Sequence, residues 1–96
     1  MGILDLFRRK SKVDQLQQFR ERLARSGRIT DGHIIDNETT ENGEIIVFYV
    51  YSVQGADFES SEILSSEQME ESIRYAPGAQ VGVKYDPKHH GSSILV

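Results

Sequence analysis

The segment from Glu44 to Val53 limits the fold of this chain more than any other. Side chains of a strand alternate between its faces, which puts Ile45, Val47, Tyr49, Tyr51 and Val53 on one side and Ile46, Phe48 and Val50 on the other. A strand with one wet face alternates apolar with polar residues. One that is apolar on both faces calls for a second covering layer, and the nearest candidate is a helix just upstream. From Val13 to Ala24, the residues Val13, Leu16, Phe19, Leu23 and Ala24 recur at helical spacing, with Gln, Arg and Glu between them. Glu21 stands four residues ahead of Arg25 as a favourable surface pair. Gly27, expected to accept positive φ, predicts a helix end near Ser26.

Beyond Gly27 the period becomes alternating and turn residues divide the chain into short runs, the pattern of an antiparallel meander. Arg28 to Asp36 is the first expected strand, with Gly32 as a bulge or a close backbone approach. Asn42–Gly43 predicts a type I′ hairpin turn into the Glu44–Val53 strand, and Gln54–Gly55 makes the next turn. Ala56 to Leu64 returns as a third strand carrying Phe58 and Ile63. Ser65 and Gln68 read as a capping box for a short helix with Met69 and Ile73 on one side, ended by Pro77–Gly78. Val81, Val83 and Tyr85 alternate in a fourth strand, a turn runs from Asp86–Pro87 through His89, His90 and Gly91, and Ser93 to Val96 forms a last strand.

The expected class is therefore α+β. It comprises an N-terminal amphipathic helix plus a four- to five-stranded antiparallel sheet or small β-barrel, with one short helix before the fourth strand. A chain of 96 residues has room for one core. It divides into a helical arm, residues 1–26, and a β-rich domain, residues 27–96. Charge follows nearly the same division. Residues 1–28 hold eight basic residues against Asp5, Asp14 and Glu21, a charge of +5, so with −4 overall the remainder carries −9.

Several chemistries are disfavoured at once. The absence of cysteine removes disulfides, thiolate nucleophiles and the usual structural zinc sites, and leaves a reducing cytoplasm as the default compartment. The apolar cluster Ile3, Leu4, Leu6 and Phe7 is interrupted by Asp5 and falls far short of the roughly 20 residues that span a bilayer. Its positive charges follow the apolar stretch, the reverse of a secretory signal, and Leu6 stands where a myristoylation signal has Ser or Thr. His89 and His90 are adjacent, a spacing with no metal-ligand pattern, and read as solvent-facing loop residues; no cofactor is expected. The carboxylates between Asp57 and Glu71, Glu62 among them, read as a solvated surface rather than as paired catalytic acids. Nucleic acid is disfavoured because the β-rich part repels phosphate, even though Tyr49, Tyr51, Phe58 and Tyr85 resemble a stacking platform.

Taken in order, Gly27-Arg28-Ile29, Tyr49-Val50-Tyr51-Ser52-Val53-Gln54-Gly55 with Phe58, Tyr75-Ala76-Pro77-Gly78, and Val81-Gly82-Val83-Lys84-Tyr85-Asp86-Pro87 resemble the bacterial family known as domain of unknown function 3592. The resemblance covers about residues 27–95. It implies a small β-rich domain, in many members attached to membrane-spanning helices, with no established activity and no catalytic residues to carry over. Here the short apolar start and basic helix stand in place of a spanning helix. The pair His89-His90 also replaces the small or proline-type residues expected after the Asp-Pro turn.

The functional expectation is a non-catalytic interaction module. Ile3, Leu4, Leu6 and Phe7 would meet a partner, a second copy or a membrane surface, with Arg8, Arg9, Lys10 and Lys12 over its acidic groups. The alternative is a small ligand-binding barrel or enzyme with a pocket lined by Tyr49, Tyr51 and Tyr85. Self-association through exposed edge strands is a further expectation.

Overall fold

The computed structural model describes residues 17–96. The described part of helix α1 covers residues 17–26 and is followed by strands β1 (Arg28–Thr39), β2 (Ile45–Val53), β3 (Ala56–Ile63), β4 (Gln80–Asp86) and β5 (His89–Leu95). A single helical turn, α2 (Ser66–Glu70), and a 3-10 turn (Ser72–Tyr75) connect β3 to β4. All strand pairs are antiparallel, in the order β3-β2-β1-β4-β5. The fold is α+β, with five strands in a nearly closed barrel.

The curl originates in β1. Its residues Arg28–His33 pair with β4 while Gly32–Thr39 pair with β2, so one long strand serves both halves of the sheet. Two local features let it bend. Gly32 lies where a Cβ would come 2.7 Å from the Val50 carbonyl oxygen and 2.8 Å from Val83 Cγ2, so only glycine lets the neighbouring strands approach. The bulge itself falls between Ile34 and Asp36, where Ile35 is the extra residue. There the Ile34 N–H donates to Ala79 O at 2.9 Å and its carbonyl accepts from Gly78 N–H at 2.7 Å, so the segment ahead of β4 takes up the groups that the bulge frees.

The concave side carries the core: Ile34, Val47, Tyr49 and Val83 are fully buried, joined by Tyr51, Val53 and Leu95. Leu64 and Tyr75, at either end of the β3–β4 connection, also pack into this cluster. The capping box forms as expected, Ser65 Oγ accepting from Gln68 N–H while Gln68 Oε1 accepts from Ser65 N–H. The apolar side assigned to that helix is different, however. Met69 and Ile73 are exposed and Tyr75 is the buried anchor, because the helix ends after one turn and the chain tightens to 3-10 geometry.

Three turns depart from expectation. At Asn42–Gly43 only Gly43 is left-handed (φ 81°), and its N–H bonds Thr40 O at 3.0 Å, so this is not a type I′ turn. The adjacent positive φ values that define that turn occur instead at Gln54 (53°) and Gly55 (83°). Gly27 is not left-handed. Its requirement is steric: a Cβ would meet Leu23 O at 2.5 Å and Lys84 Cβ at 3.2 Å, where the end of α1 crosses β4. The turn after β4 is also tighter than expected: Asp86 pairs with His89, and both histidines belong to β5 rather than to a loop.

Candidate functional site

Strands β3 and β5 are the two edges of the sheet, and where they meet the barrel is closed by side chains. Tyr49 on β2 reaches across the interior to Ser93 on β5, oxygen to oxygen at 2.7 Å, and Tyr51 Oη donates to the His90 carbonyl at 2.5 Å. From β3, Glu62 accepts the Leu95 backbone N–H at 3.3 Å and pairs with Arg20 of α1. Farther along, Lys84 Nζ donates to the Ala24 carbonyl at 2.7 Å and Arg22 pairs with Asp86 at 3.3 Å. The described part of α1 thus runs from the β3–β5 seam at Arg20 to β4 at Ala24, with Leu23 buried beneath it. Of the residues expected to cover the second face of β2, Phe19 borders the cleft that Ile46 also lines, while Val13 and Leu16 lie outside the described residues. An open seam leaves strand-edge N–H and C=O groups unpaired, so it claims the helix ahead of the half-buried face of β2.

Glu62 also corrects the reading of the carboxylates as uniformly solvated. Its side chain is only 10% exposed. Burial pushes its pKa above the usual carboxylate range, and the Arg20 guanidinium and the Leu95 N–H offset part of that rise. The alternation carried a usable signal: Phe58, Ser60 and Glu62 share one face of β3, and Phe58 faces Tyr51 across the strand pair.

The aromatic residues proposed to line a pocket fill the interior instead. Tyr49 and Tyr51 are 0% and 2% exposed, their ring centroids 6.0 Å apart. Tyr51 stacks further on Phe58 at 5.6 Å and on Tyr85 at 6.4 Å, while the His90 ring packs edge-on against Tyr85 at 5.5 Å. Burial raises the pKa of both Tyr49 and Tyr51 above the ordinary phenolic value. Both are structural hydroxyls, held protonated at neutral pH. An open cleft of about 620 Å³ does exist, but at the seam, where Phe19 and Arg20 face Ile46, Ser60, Glu62 and Ser93.

The convex face of β2 is the other notable surface. Ile46, Phe48 and Val50 are half-buried, and Ile63, paired with Ile46, is 48% exposed. The pairing places His33, Asp36 and Glu38 of β1 on one flank of this stripe and Ser61 and Glu59 of β3 on the other. No Lys or Arg is paired beside it. The result is an apolar stripe about 13 Å long, from four residues at 3.3 Å each, with a carboxylate rim.

The contact residues expected from the sequence, Ile3, Leu4, Leu6, Phe7, Arg8, Arg9, Lys10 and Lys12, all lie outside the described residues, as do Val13 and Leu16. Among the described residues, no group of three or more potential ligands gathers into a metal site, and no helix is long and apolar enough to cross a membrane.

No curated protein and no solved structure matches the chain. One family model does match, over residues 25–96, and those residues carry the barrel, its side-chain-closed seam and the striped convex face. The chain belongs to the family described as Domain of unknown function (DUF3592).

Proposed function

We propose that this protein is a non-catalytic interaction module, with the basic N-terminal arm as its contact to an anionic surface. The observation that carries this reading is the distribution of apolar side chains. The interior is filled by the chain's own tyrosines, whereas the convex face of β2 keeps a row of half-buried apolar side chains, Ile46, Phe48 and Val50, beside the exposed Ile63 of β3. Charge supports it as well, since +5 is concentrated in residues 1–28 and −9 in the rest. Four of the basic residues, Arg8, Arg9, Lys10 and Lys12, stand within five positions, next to Ile3, Leu4, Leu6 and Phe7. Such a segment gains about 1 kcal/mol per basic residue at an anionic lipid surface.

The experiment is co-sedimentation of the full chain and of a chain lacking residues 1–12 with phosphatidylserine vesicles, against phosphatidylcholine vesicles as the neutral control. The full chain should bind the anionic vesicles and the truncated chain should not; equal binding by the two would refute the role given to the arm. The other reading, a ligand-binding barrel or enzyme built on Tyr49, Tyr51 and Tyr85, has less support, because two of those rings are buried and all three are stacked together. The residual cleft at the seam is where a small ligand would have to enter.

A further inference from the structure

The convex stripe of β2 has the dimensions and the rim of a helix seat. Among the described residues, Ile46, Phe48 and Val50 belong neither to the core cluster nor to the partly buried side chains packed against it. We infer that this face is a second contact surface of the module, separate from the arm, and that it takes a cationic amphipathic helix of a partner protein laid along β2.

The secondary structure of the occupant follows from what a sheet face offers. The N–H and C=O groups of β2 are engaged by β1 on one side and β3 on the other, so an extended segment laid over the face would find no backbone partners, whereas a helix satisfies its own. The flanks then set the width. Asp36 and Glu38 of β1 stand opposite Phe48 and Ile46, Glu59 of β3 stands opposite Val50, and Asp57 lies one pair farther along, all of them exposed. These two rows of carboxylates lie two strand spacings apart, about 10 Å, close to the roughly 10–12 Å diameter of an α-helix. The stripe, about 13 Å long, likewise accommodates apolar residues at i, i+3 and i+7, which span about 10 Å along a helix axis. Charge selects the partner. The carboxylates are accompanied by one imidazole, that of His33 opposite Val50, and no Lys or Arg is paired with the stripe, so basic residues on both edges of the helix would meet opposite charge. The same rim repels phosphate, which sets aside lipid headgroups and nucleic acid on this face, and a second copy presenting the same face would set carboxylates against carboxylates.

Calorimetric titration of the full chain tests this with synthetic peptides of about 18 residues, long enough to hold a helix. One has Leu at helical spacing and Lys elsewhere, one has Glu in place of Lys, and one scrambles the first so that it has no apolar face. The Leu/Lys helix should bind at least tenfold more tightly than either of the others. Glu38→Lys with Glu59→Lys reverses one carboxylate on each flank and should weaken that binding at least tenfold. Glu67→Lys with Glu70→Lys, an equal change of net charge at exposed positions of α2, should weaken it less than threefold. Equal losses in the two double variants would reduce the effect to bulk charge and overturn the inference, as would equal affinity for the scrambled peptide or no binding of the Leu/Lys peptide. Because the chain has no tryptophan, Phe48→Trp reports where the peptide sits. Its emission should shift to the blue when the Leu/Lys peptide is added, and an unmoved spectrum would also overturn the inference. Light scattering addresses the remaining occupant: self-association that Glu38→Lys with Glu59→Lys abolishes would put a second copy on the stripe instead. No vesicle enters these measurements. Vesicle binding without peptide binding would therefore remove only the helix seat, and peptide binding without vesicle binding would remove only the role given to the arm.

Discussion

Val47, Tyr49, Tyr51 and Val53 are at most 5% exposed, whereas Ile46, Phe48 and Val50, one residue out of step on the same strand, are half-buried. The two faces of β2 carry similar hydrophobicity. Curvature separates them: once β1 bends at its bulge, the concave face closes on itself and its tyrosines reach β5, while the convex face is spread outward. Hydrophobic residues at strand spacing thus specify that a face must be covered, but the sign of the sheet's bend decides which face the barrel covers by itself.

The largest expected effect tests that contrast directly. Tyr49→Ala, which empties a fully buried site and orphans Ser93, should cost about 3–5 kcal/mol, and Phe48→Ala on the convex side about 1 kcal/mol. Urea titrations of the two variants that gave equal losses would show that the faces are not distinct. Next comes Gly32→Ala. Its Cβ would meet the Val50 carbonyl, which is backbone and cannot swing away, so a loss of about 1–3 kcal/mol is expected from the same titration.

A pH series sharpens the account of the seam. Burial holds the Glu62 pKa above its ordinary value of 4.5, so the native state keeps the proton more readily than the unfolded chain. The stabilisation that comes with protonation is fully present below the unfolded value and is lost as pH rises through the folded one. The stability of the parent chain relative to Glu62→Gln should therefore fall as pH rises above the ordinary value of 4.5. A difference that stays flat, or that grows with pH, would mean that the ion pair with Arg20 outweighs burial. The smallest effect is expected far from either face: Gln54→Gly relieves a left-handed non-glycine residue and should raise the thermal midpoint, by about 0.5 kcal/mol in stability.

Much of the architecture was legible because local chemistry dictates it. The end of α1, the capping box at Ser65, the strand containing Tyr49 and Tyr51, and the turn at Gln54–Gly55 follow from spacing and from residues with restricted backbone preferences. Misreadings arose where a distant partner decides. Gly27 was expected to be left-handed, yet it is the close approach of Leu23 O and, from β4, of Lys84 Cβ that excludes a side chain there. His90 looked like a loop residue, yet its ring packs against Tyr85 and Phe58. Glu62 looked like one more surface acid, yet it joins α1 to the edge of β5.

The amino-acid order by itself determined that there is one helix ahead of a β meander, that β2 is apolar on both faces, and that positive charge gathers in the first 28 residues. Only the tertiary structure decided that the sheet closes edge to edge through Tyr49, Tyr51 and Glu62, that α1 runs from that seam to β4, and that Phe48 faces outward. The reason is one of range. Alternation and capping act over a few residues, whereas the choice between two equally greasy faces depends on strand partners twenty to sixty positions away, which no local pattern encodes.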